Sequence, residues 1–80
     1  MHDFTEILEK SRLARSLPAP ERRRAIREAA MVTQEDIATA LGVTRAIVSR
    51  WEAGLRIPSG EHLTNYARLL KALADDMETD

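Results

Sequence analysis

The stretch from Thr33 to Gly54 constrains the fold of this chain more than any other, because its start and stop signals define two short helices joined by a tight turn. Thr33 is a favourable N-cap, and Asp36 follows three residues later, where its carboxylate can complete a capping box, so a helix should begin at Gln34. Gly42 follows the last apolar residue of this helix and can adopt a positive φ without steric cost. The first helix should therefore end there.

A second helix is predicted directly afterwards, capped by Thr44 and ended by Gly54. Helical spacing places its larger apolar side chains on the inward side, and these are Ile47, Val48 and Trp51. The outward side carries small and basic residues, namely Arg45, Ala46, Ser49 and Arg50. Two short helices across a glycine-containing turn, the second with such an outer face, are typical of a unit that places one helix in the major groove of DNA.

The composition limits the chain to one small all-α domain. A chain of 80 residues buries only about 60% of its extended surface, and its three glycines and three prolines leave little room for a turn-rich sheet. The absence of cysteine excludes disulfides, thiolate metal sites and cysteine catalysis, and suits a reducing compartment. The N-terminus carries an acid where a secretory signal needs a base, and no apolar run approaches the ~20 residues that cross a membrane. We therefore expect a cytoplasmic protein without a membrane partner.

The net charge of −1 conceals an uneven distribution of charge along the chain. Residues 10–56 carry ten basic and five acidic side chains, whereas residues 1–9 and 57–80 each contribute a net charge of −3. A basic middle with acidic ends can orient a protein on a phosphate backbone. The arginine triplet at positions 22–24 is interpreted as a solvated face, with a phosphate clamp as the alternative, and it is left out of the predicted interface because cations at a helix start oppose the macrodipole.

An amphipathic helix is predicted over residues 3–16, ended by the prolines at positions 18 and 20. Its apolar and small residues recur at steps of three and four, and they are Phe4, Ile7, Leu8, Ser11, Ala14 and Leu17. Such a helix either packs on the core or binds a protein partner or a second copy of the chain. We divide the chain into residues 1–19, this helix with its linker, and residues 20–80, a helix-turn-helix domain.

Two further helices complete the predicted all-α core. One begins at Pro20 or Glu21, runs to Met31, and turns inward Ala25, Ile26, Ala29 and Ala30. The last helix begins after its cap, Ser59, and carries the most regular apolar stripe of the chain. This stripe consists of Leu63, Tyr66, Ala67, Leu70, Leu73, Ala74 and Met77, and Leu69 lies beside it.

The sequence offers no candidate for catalysis or for cofactor binding. His2 and His62 lie far apart in sequence and near no carboxylate cluster with the spacing of metal ligands. No glycine-rich loop suits the phosphates of a nucleotide, and helix capping and groove contact account for Thr44 and Ser49 without a nucleophilic role. We expect neither an enzyme nor a metal site.

Residues 24–73 resemble the helix-turn-helix family of phage repressors, Cro proteins and related bacterial regulators and antitoxins. The resemblance rests on the joint spacing of residues in the two motif helices and the closing helix, namely Thr33, Gln34, Ile37, Ala38, Leu41, Gly42, Val43, Val48, Ser49, Arg50, Trp51, Glu52, Gly54, Pro58, Ser59, Leu63, Tyr66, Ala67 and Leu70. It implies a compact four- to five-helix domain of the repressor type, to which the helix over residues 3–16 is an addition.

The resemblance also implies which residues bind double-stranded DNA. The groove-facing positions of the family are occupied here by Thr44, Arg45, Ala46, Ser49 and Arg50. Arg45 and Arg50 can each present a planar fork to guanine O6 and N7.

Residues at the edges of the motif are expected to hold the DNA backbone or to fix the helices. Thr33 and Gln34 start a helix, and the free amides of helix N-termini bind phosphate; Gln34 is also expected to brace the recognition helix. Arg56, in the loop after the motif, is expected to hold a phosphate. Arg27 and Glu52 stand where related repressors have an ion pair between two helices.

The leading hypothesis is a sequence-specific transcriptional repressor that binds its operator as a dimer through a recognition helix over residues 45–53. Two alternatives stay open: an antitoxin that covers a toxin and also represses its own operon, and an accessory factor in DNA processing. A toxin-like reading frame beside the gene would favour the antitoxin, and a divergent regulator gene would favour a phage-type switch. We expect the homodimer to form through the last helix with the loop before it, or else through the helix over residues 3–16.

Overall fold

Five helices account for most of residues 3–78, the part of the chain that this computed structural model describes. They are α1 Thr5–Ser16, α2 Pro20–Ala29, α3 Gln34–Leu41, α4 Arg45–Glu52 and α5 Gly60–Glu78. Strands are absent from this part of the chain, which confirms the predicted all-α class. None of the helices over residues 3–78 is long and apolar enough to cross a membrane.

The boundaries of α3 and α4 follow from the predicted caps. The Thr33 hydroxyl accepts a hydrogen bond from the Asp36 amide at 3.0 Å, and the Asp36 carboxylate accepts one from the Thr33 amide at 2.9 Å, which completes the capping box. These hydrogen bonds from Thr33 lower the pKa of Asp36 below its usual value. Gly42 ends α3 with a φ of 69°, and the Thr44 hydroxyl caps α4 by accepting from the Ile47 amide at 3.3 Å.

A single core joins α2, α3, α4 and α5. Its largest fully buried side chains are Trp51, Tyr66, Ile37, Leu70 and Val48. The rings of Trp51 and Tyr66 are tilted against each other with their centroids 4.8 Å apart. Burial raises the pKa of Tyr66 to about 12, so its hydroxyl stays neutral below that pH. The inner faces of both motif helices are thus fixed on α5.

The inward face of α2 differs from the predicted one. The helix ends at Ala29 rather than Met31, which adopts a left-handed φ of 60° and is exposed. Ala25 and Ala29 are also exposed, whereas the inner stripe carries Arg23, Ile26, Arg27 and Ala30 at helical spacing. Two of these four inward residues are arginines. They can face inward because α2 lies beside polar acceptors of α4 as well as beside the apolar core.

The orientation of α1 contradicts one of its two open interpretations, namely that its apolar stripe packs on the core. Phe4, Ile7 and Leu8 are 70%, 63% and 50% exposed, and the partly buried positions are instead Leu13 and Leu17. The helix rests against the polar back of α5, since α5 directs its apolar stripe towards α2, α3 and α4. The crevice between α1 and α5 is lined by Glu6, Glu9, Lys10, Leu13, Glu61, Thr64, Asn65 and Arg68.

Candidate nucleic-acid interface

The two sides of α4 differ completely in their environment. Val48, Trp51 and Glu52 are buried, and Ile47 is partly buried. The opposite side is exposed over the positions predicted to face the groove, Arg45, Ala46, Ser49 and Arg50, with the capping residue Thr44 also exposed. Within residues 3–78, none of the polar side chains on this outer side except the capping hydroxyl has a hydrogen-bonding or ionic partner. The outer side of α4 can therefore bind an external ligand without breaking an internal contact.

The N-terminal turn of α4 suits an anionic ligand better than that of α3. The first turn of α4 contains no acid and begins with Arg45, so the positive end of the helix dipole is reinforced by a cation. The first turn of α3 contains Glu35 and Asp36, whose carboxylates oppose an incoming phosphate. Negative charge is consequently favoured at the start of α4.

Three predicted contact residues from different elements lie around one shallow depression. Thr33, Gln34 and Arg45 line it together with residues that include Arg24 from the middle of α2, Met31 from the turn after α2, and Glu35. The Gln34 side chain is directed at α4, because its Nε2 donates to the carboxylate of Glu52, the last residue of α4, at 3.0 Å. Since the side chain braces α4, a phosphate contact by Gln34 would have to use its backbone amide at the start of α3.

Arg56 occupies a separate position. It lies in the loop between α4 and α5 and lines a second depression, shared with Val43, Ile47, Pro58 and His62. Its guanidinium is exposed and has no ionic partner in the described part of the chain. The structure thus places Arg45 beside Thr33 and Gln34 in one depression and Arg56 in another, so that Arg56 is not brought together with Thr33 and Gln34.

A buried ion pair fixes α4 against α2. Arg27 donates from Nε and Nη2 to the two carboxylate oxygens of Glu52, the second bond measuring 3.0 Å. Arg27 also donates from Nη1 to the carbonyl of Val32 at 3.0 Å, and Gln34 supplies the third donor to Glu52. Only 12% of the Arg27 side chain and 4% of the Glu52 side chain are exposed. One carboxylate therefore joins α2, α3 and α4.

The electrostatics of this cluster keep both partners charged. Burial on its own raises the pKa of Glu52, but the hydrogen bonds from Arg27 and Gln34 outweigh it, and the pKa lies below its usual value. The hydrogen bond to Glu52 in turn raises the pKa of Arg27. The pair is ionised in the folded protein at neutral pH, and each charge compensates the burial of the other.

Sequence reasoning missed a second link between α2 and α4. Arg23, which belongs to the triplet interpreted as a solvated face, donates from Nε to the Pro18 carbonyl at 2.7 Å and from Nη1 to the Trp51 carbonyl at 3.0 Å. The second contact places a cation at the C-terminal end of α4, where the helix dipole favours one. The i, i+3, i+4 spacing of Arg23, Ile26 and Arg27 is the signal that could have identified this inward position.

Gly54 allows the end of α4 to approach the start of α2. Its φ is 73°, and a Cβ atom at this position would lie 3.3 Å from Cγ of Pro20. Both the left-handed conformation and the short distance favour glycine. This contact and the Arg23 and Arg27 hydrogen bonds together hold α4 against α2.

Metal ligation finds no support in the part of the chain that the structure describes, because residues 3–78 contain no group of three His, Asp or Glu side chains that could hold an ion. His62 lies beside the Trp51 ring, with centroids 6.3 Å apart, and His2 falls outside the described residues.

The match to a known protein family agrees with this geometry. A sequence model of a protein family described as helix-turn-helix matches residues 24–74, more than half of the chain. No curated protein and no solved structure matches the chain significantly. The matched residues include α3, the turn, α4 and most of α5, and exclude α1. The chain therefore belongs to the helix-turn-helix family of Cro/XRE-like regulators and is a DNA-binding transcriptional regulator of that type.

Proposed function

We propose that the protein is a sequence-specific repressor that binds an operator as a dimer and inserts α4 into the major groove. The observation that carries the proposal is the contrast between the two sides of α4. Its inner side is fixed by core packing and by the Glu52 cluster, whereas Arg45, Ser49 and Arg50 on its outer side have no internal partner in residues 3–78. A rigid helix with free polar side chains can contact base edges at little conformational cost.

The side chains on the outer side of α4 suit particular bases. Arg45 and Arg50 can each donate two parallel hydrogen bonds to O6 and N7 of guanine, the commonest base-specific contact of arginine. Ser49 can donate to or accept from a base edge. Ala46 and Thr44 have methyl groups that suit the thymine methyl and permit close approach of the helix. The proposed base contacts are therefore made by these five residues.

Phosphate contacts are proposed on both sides of the inserted helix. Gln34 and Thr33 lie beside Arg45 around one depression. The Gln34 backbone amide at the start of α3 is proposed to donate to a phosphate, and so is the Thr33 hydroxyl, whose proton stays available while its oxygen accepts from the Asp36 amide. Arg56 is free for the same task beyond the other end of α4. Such contacts position the protein on the duplex and carry no sequence information of their own.

The length of α4 supports a dimeric form. Its eight residues are about 12 Å long at 1.5 Å per residue, so one copy contacts only a few base pairs. A two-fold dimer doubles the contacts when two half-sites lie about 34 Å apart, one helical turn of DNA. Repression then requires only that the dimer occupy an operator that overlaps a promoter.

Selection of duplexes from a random pool tests the proposal. We expect enrichment of one sequence with two inverted half-sites separated by about one helical turn. The selected site, placed over a promoter, should lower expression of a reporter gene when the protein is present, and placement well upstream should not. Enrichment of no sequence would contradict sequence-specific binding, a single half-site without symmetry would contradict the dimer, and activation from the promoter site would contradict repression.

A further inference from the structure

The exposed side of α1 is an apolar helix face that the described residues leave uncovered. Phe4, Ile7 and Leu8 lie on it, each at least half exposed. Leu13, which points at α5, lies nine residues after Phe4, and nine steps of about 100° place it half a turn away. The apolar side of α1 therefore faces directly away from the domain. A soluble domain rarely leaves such a face on a stable helix without a partner.

We infer that this face pairs with the same face of a second copy of the chain, with the two α1 helices antiparallel. The first reason is charge. Glu6, Glu9 and Lys10 line the crevice against α5, so the charges left to flank the exposed side are the acid Asp3 at its start and the bases Arg12 and Arg15 towards its end. An antiparallel pair places the acidic start of each helix opposite the basic end of the other. A parallel pair would place like charges together.

The second reason is the distribution of side-chain size along the exposed side. Its N-terminal half carries the bulky Phe4, Ile7 and Leu8, and its C-terminal half carries the small Ser11 and Ala14. Each bulky half can thus pack against the small half of the other helix, which lets the two backbones approach closely. A two-fold interface requires such self-complementarity, because the same surface serves both copies.

One register of the two helices produces both the charge pairing and the size pairing. When Phe4 lies opposite the partner's Ala14, Ile7 lies opposite the partner's Ser11 and Asp3 opposite the partner's Arg15, because each pair of positions has the same midpoint. Asp3 and Arg15 make hydrogen bonds only to neighbours within one helical turn, and both stay exposed.

The paired helices are short, and their contact is smaller than the standard interface of about 1,600 Å². We expect weak association of the free protein and stronger association on an operator, where two bound copies have a high effective concentration.

This inference rests on the proposed dimeric function and names the surface that makes the dimer. The competing surface is the loop after α4, where Leu55 and Ile57 are 79% and 83% exposed. That loop offers two apolar residues around Arg56, without the paired charges and sizes found on α1. It serves as a matched control, since substitutions in both places change exposed apolar residues.

Sedimentation of the full chain without DNA distinguishes the two surfaces. The double variant Phe4→Ser with Ile7→Ser should self-associate about tenfold or more weakly than the parent chain. Added salt should weaken the self-association of the parent chain, because it screens the charge pairs. Leu55→Ser with Ile57→Ser should leave it unchanged. Dissociation by the loop variant alone, or a parent chain that stays monomeric up to near-millimolar concentration, would overturn the inference. Circular dichroism checks that each variant remains folded.

Cross-linking tests the register directly, because the parent chain contains no cysteine. An equimolar mixture of Ile7→Cys and Ser11→Cys chains should form the mixed 7–11 disulfide faster than either chain forms its own. Preference for 7–7 and 11–11 products would indicate parallel pairing, and no cross-link above the rate of an exposed control, Leu55→Cys, would indicate that α1 binds a different protein. Either result contradicts the inference.

Binding to a single half-site separates this inference from the proposed function. The α1 variant retains every proposed DNA contact, so its affinity for one isolated half-site should equal that of the parent chain. It should lose only the gain in affinity that a second half-site provides. Chains that cross-link through α1 but select no DNA sequence would leave the inference standing and remove the proposed function.

Discussion

The inward arginines of α2, Arg23 and Arg27, and the arginines of α4 have opposite surroundings. In α2, Arg23, Arg24 and Arg27 each donate to a carbonyl or a carboxylate of the protein. On α4, Arg45 and Arg50 have no such partner among the described residues. The sequence shows the same residue type in both helices, and the difference arises from what lies within reach of each guanidinium.

This contrast indicates a division of roles between structure and recognition. An arginine that satisfies buried acceptors stabilises the fold and is unavailable to DNA, since a rearrangement would leave a buried charge or carbonyl without a partner. An arginine that projects from a fixed helix keeps its donors for a base or a phosphate. The contrast predicts that substitutions of the inward residues Arg23 and Arg27 affect stability and that substitutions on the outer side of α4 affect DNA binding.

The largest expected effect is on the buried pair. Replacing Arg27 or Glu52 alone with alanine should lower the free energy of unfolding by ~3–5 kcal/mol, because the remaining charge is buried without its partner. The double variant should lose less than the sum of the single losses. Urea denaturation of the four proteins measures this coupling.

The exposed pair Arg24 and Glu28 on the same helix is the matched control for that cycle. Their side chains are 65% and 56% exposed, so their coupling should be no more than about 0.5 kcal/mol. Additive losses at Arg27 and Glu52 would show that the two residues do not stabilise each other, and equal coupling in both pairs would show that burial does not matter.

Acid should remove part of the same stabilisation. The pKa of Glu52 is lower in the folded protein than its usual value of about 4.3, so the unfolded chain binds the proton more readily. The contribution of the Glu52 carboxylate to stability is complete at pH values above that usual pKa, and it is lost as the pH falls through the lower pKa of the folded protein. The free energy of unfolding, measured between pH 7 and pH 3, should fall less steeply with decreasing pH in Glu52→Gln than in the parent chain. An identical decline in both would contradict this assignment.

A smaller loss is expected for the link between α2 and the end of α4. Arg23→Ala removes a charged donor from two carbonyls, and should lower the free energy of unfolding by ~1.5–3 kcal/mol. Arg22→Ala changes an exposed neighbour without a partner in residues 3–78 and should stay within about 0.5 kcal/mol of the parent. Thermal unfolding of both variants distinguishes them. Equal melting temperatures would mean that the Arg23 contacts contribute nothing to stability.

The helix boundaries and the core were largely predictable from the sequence, because caps and apolar periodicity act over a few residues. Thr33, Gly42 and Thr44 delimit α3 and α4 where they were expected to. Trp51 and Tyr66 are buried as their stripes predicted. These signals depend on local geometry and need no knowledge of distant elements.

The inward face of α2 and the orientation of α1 were not predictable in the same way. Arg23 and Arg27 count as polar in a periodicity analysis, yet their stems and donors fit against α4, a contact between residues far apart in sequence. The apolar stripe of α1 was compatible with packing on the core and with binding a partner, and the sequence could not decide between them; the α5 surface that α1 meets is polar, and Phe4 and Ile7 face outward. Tertiary context decided both faces. Whether the predicted contact residues bind DNA stays a prediction.

The smallest effects should distinguish base contact from phosphate contact. Arg45 begins α4, the end expected to lie deepest in the groove, so Arg45→Ala should cost ~1–3 kcal/mol on the cognate duplex and relax preference at one base pair. Arg56 lies in the loop beyond α4, so Arg56→Ala should weaken all duplexes alike and reduce the salt slope by about one. Both variants should be titrated against cognate and scrambled duplexes at several salt concentrations, with Arg22→Ala as the control for a lost surface charge. Equal weakening of both duplexes by Arg45→Ala would assign it to the backbone, and Ser49 or Arg50 would then be the better candidate for base contact.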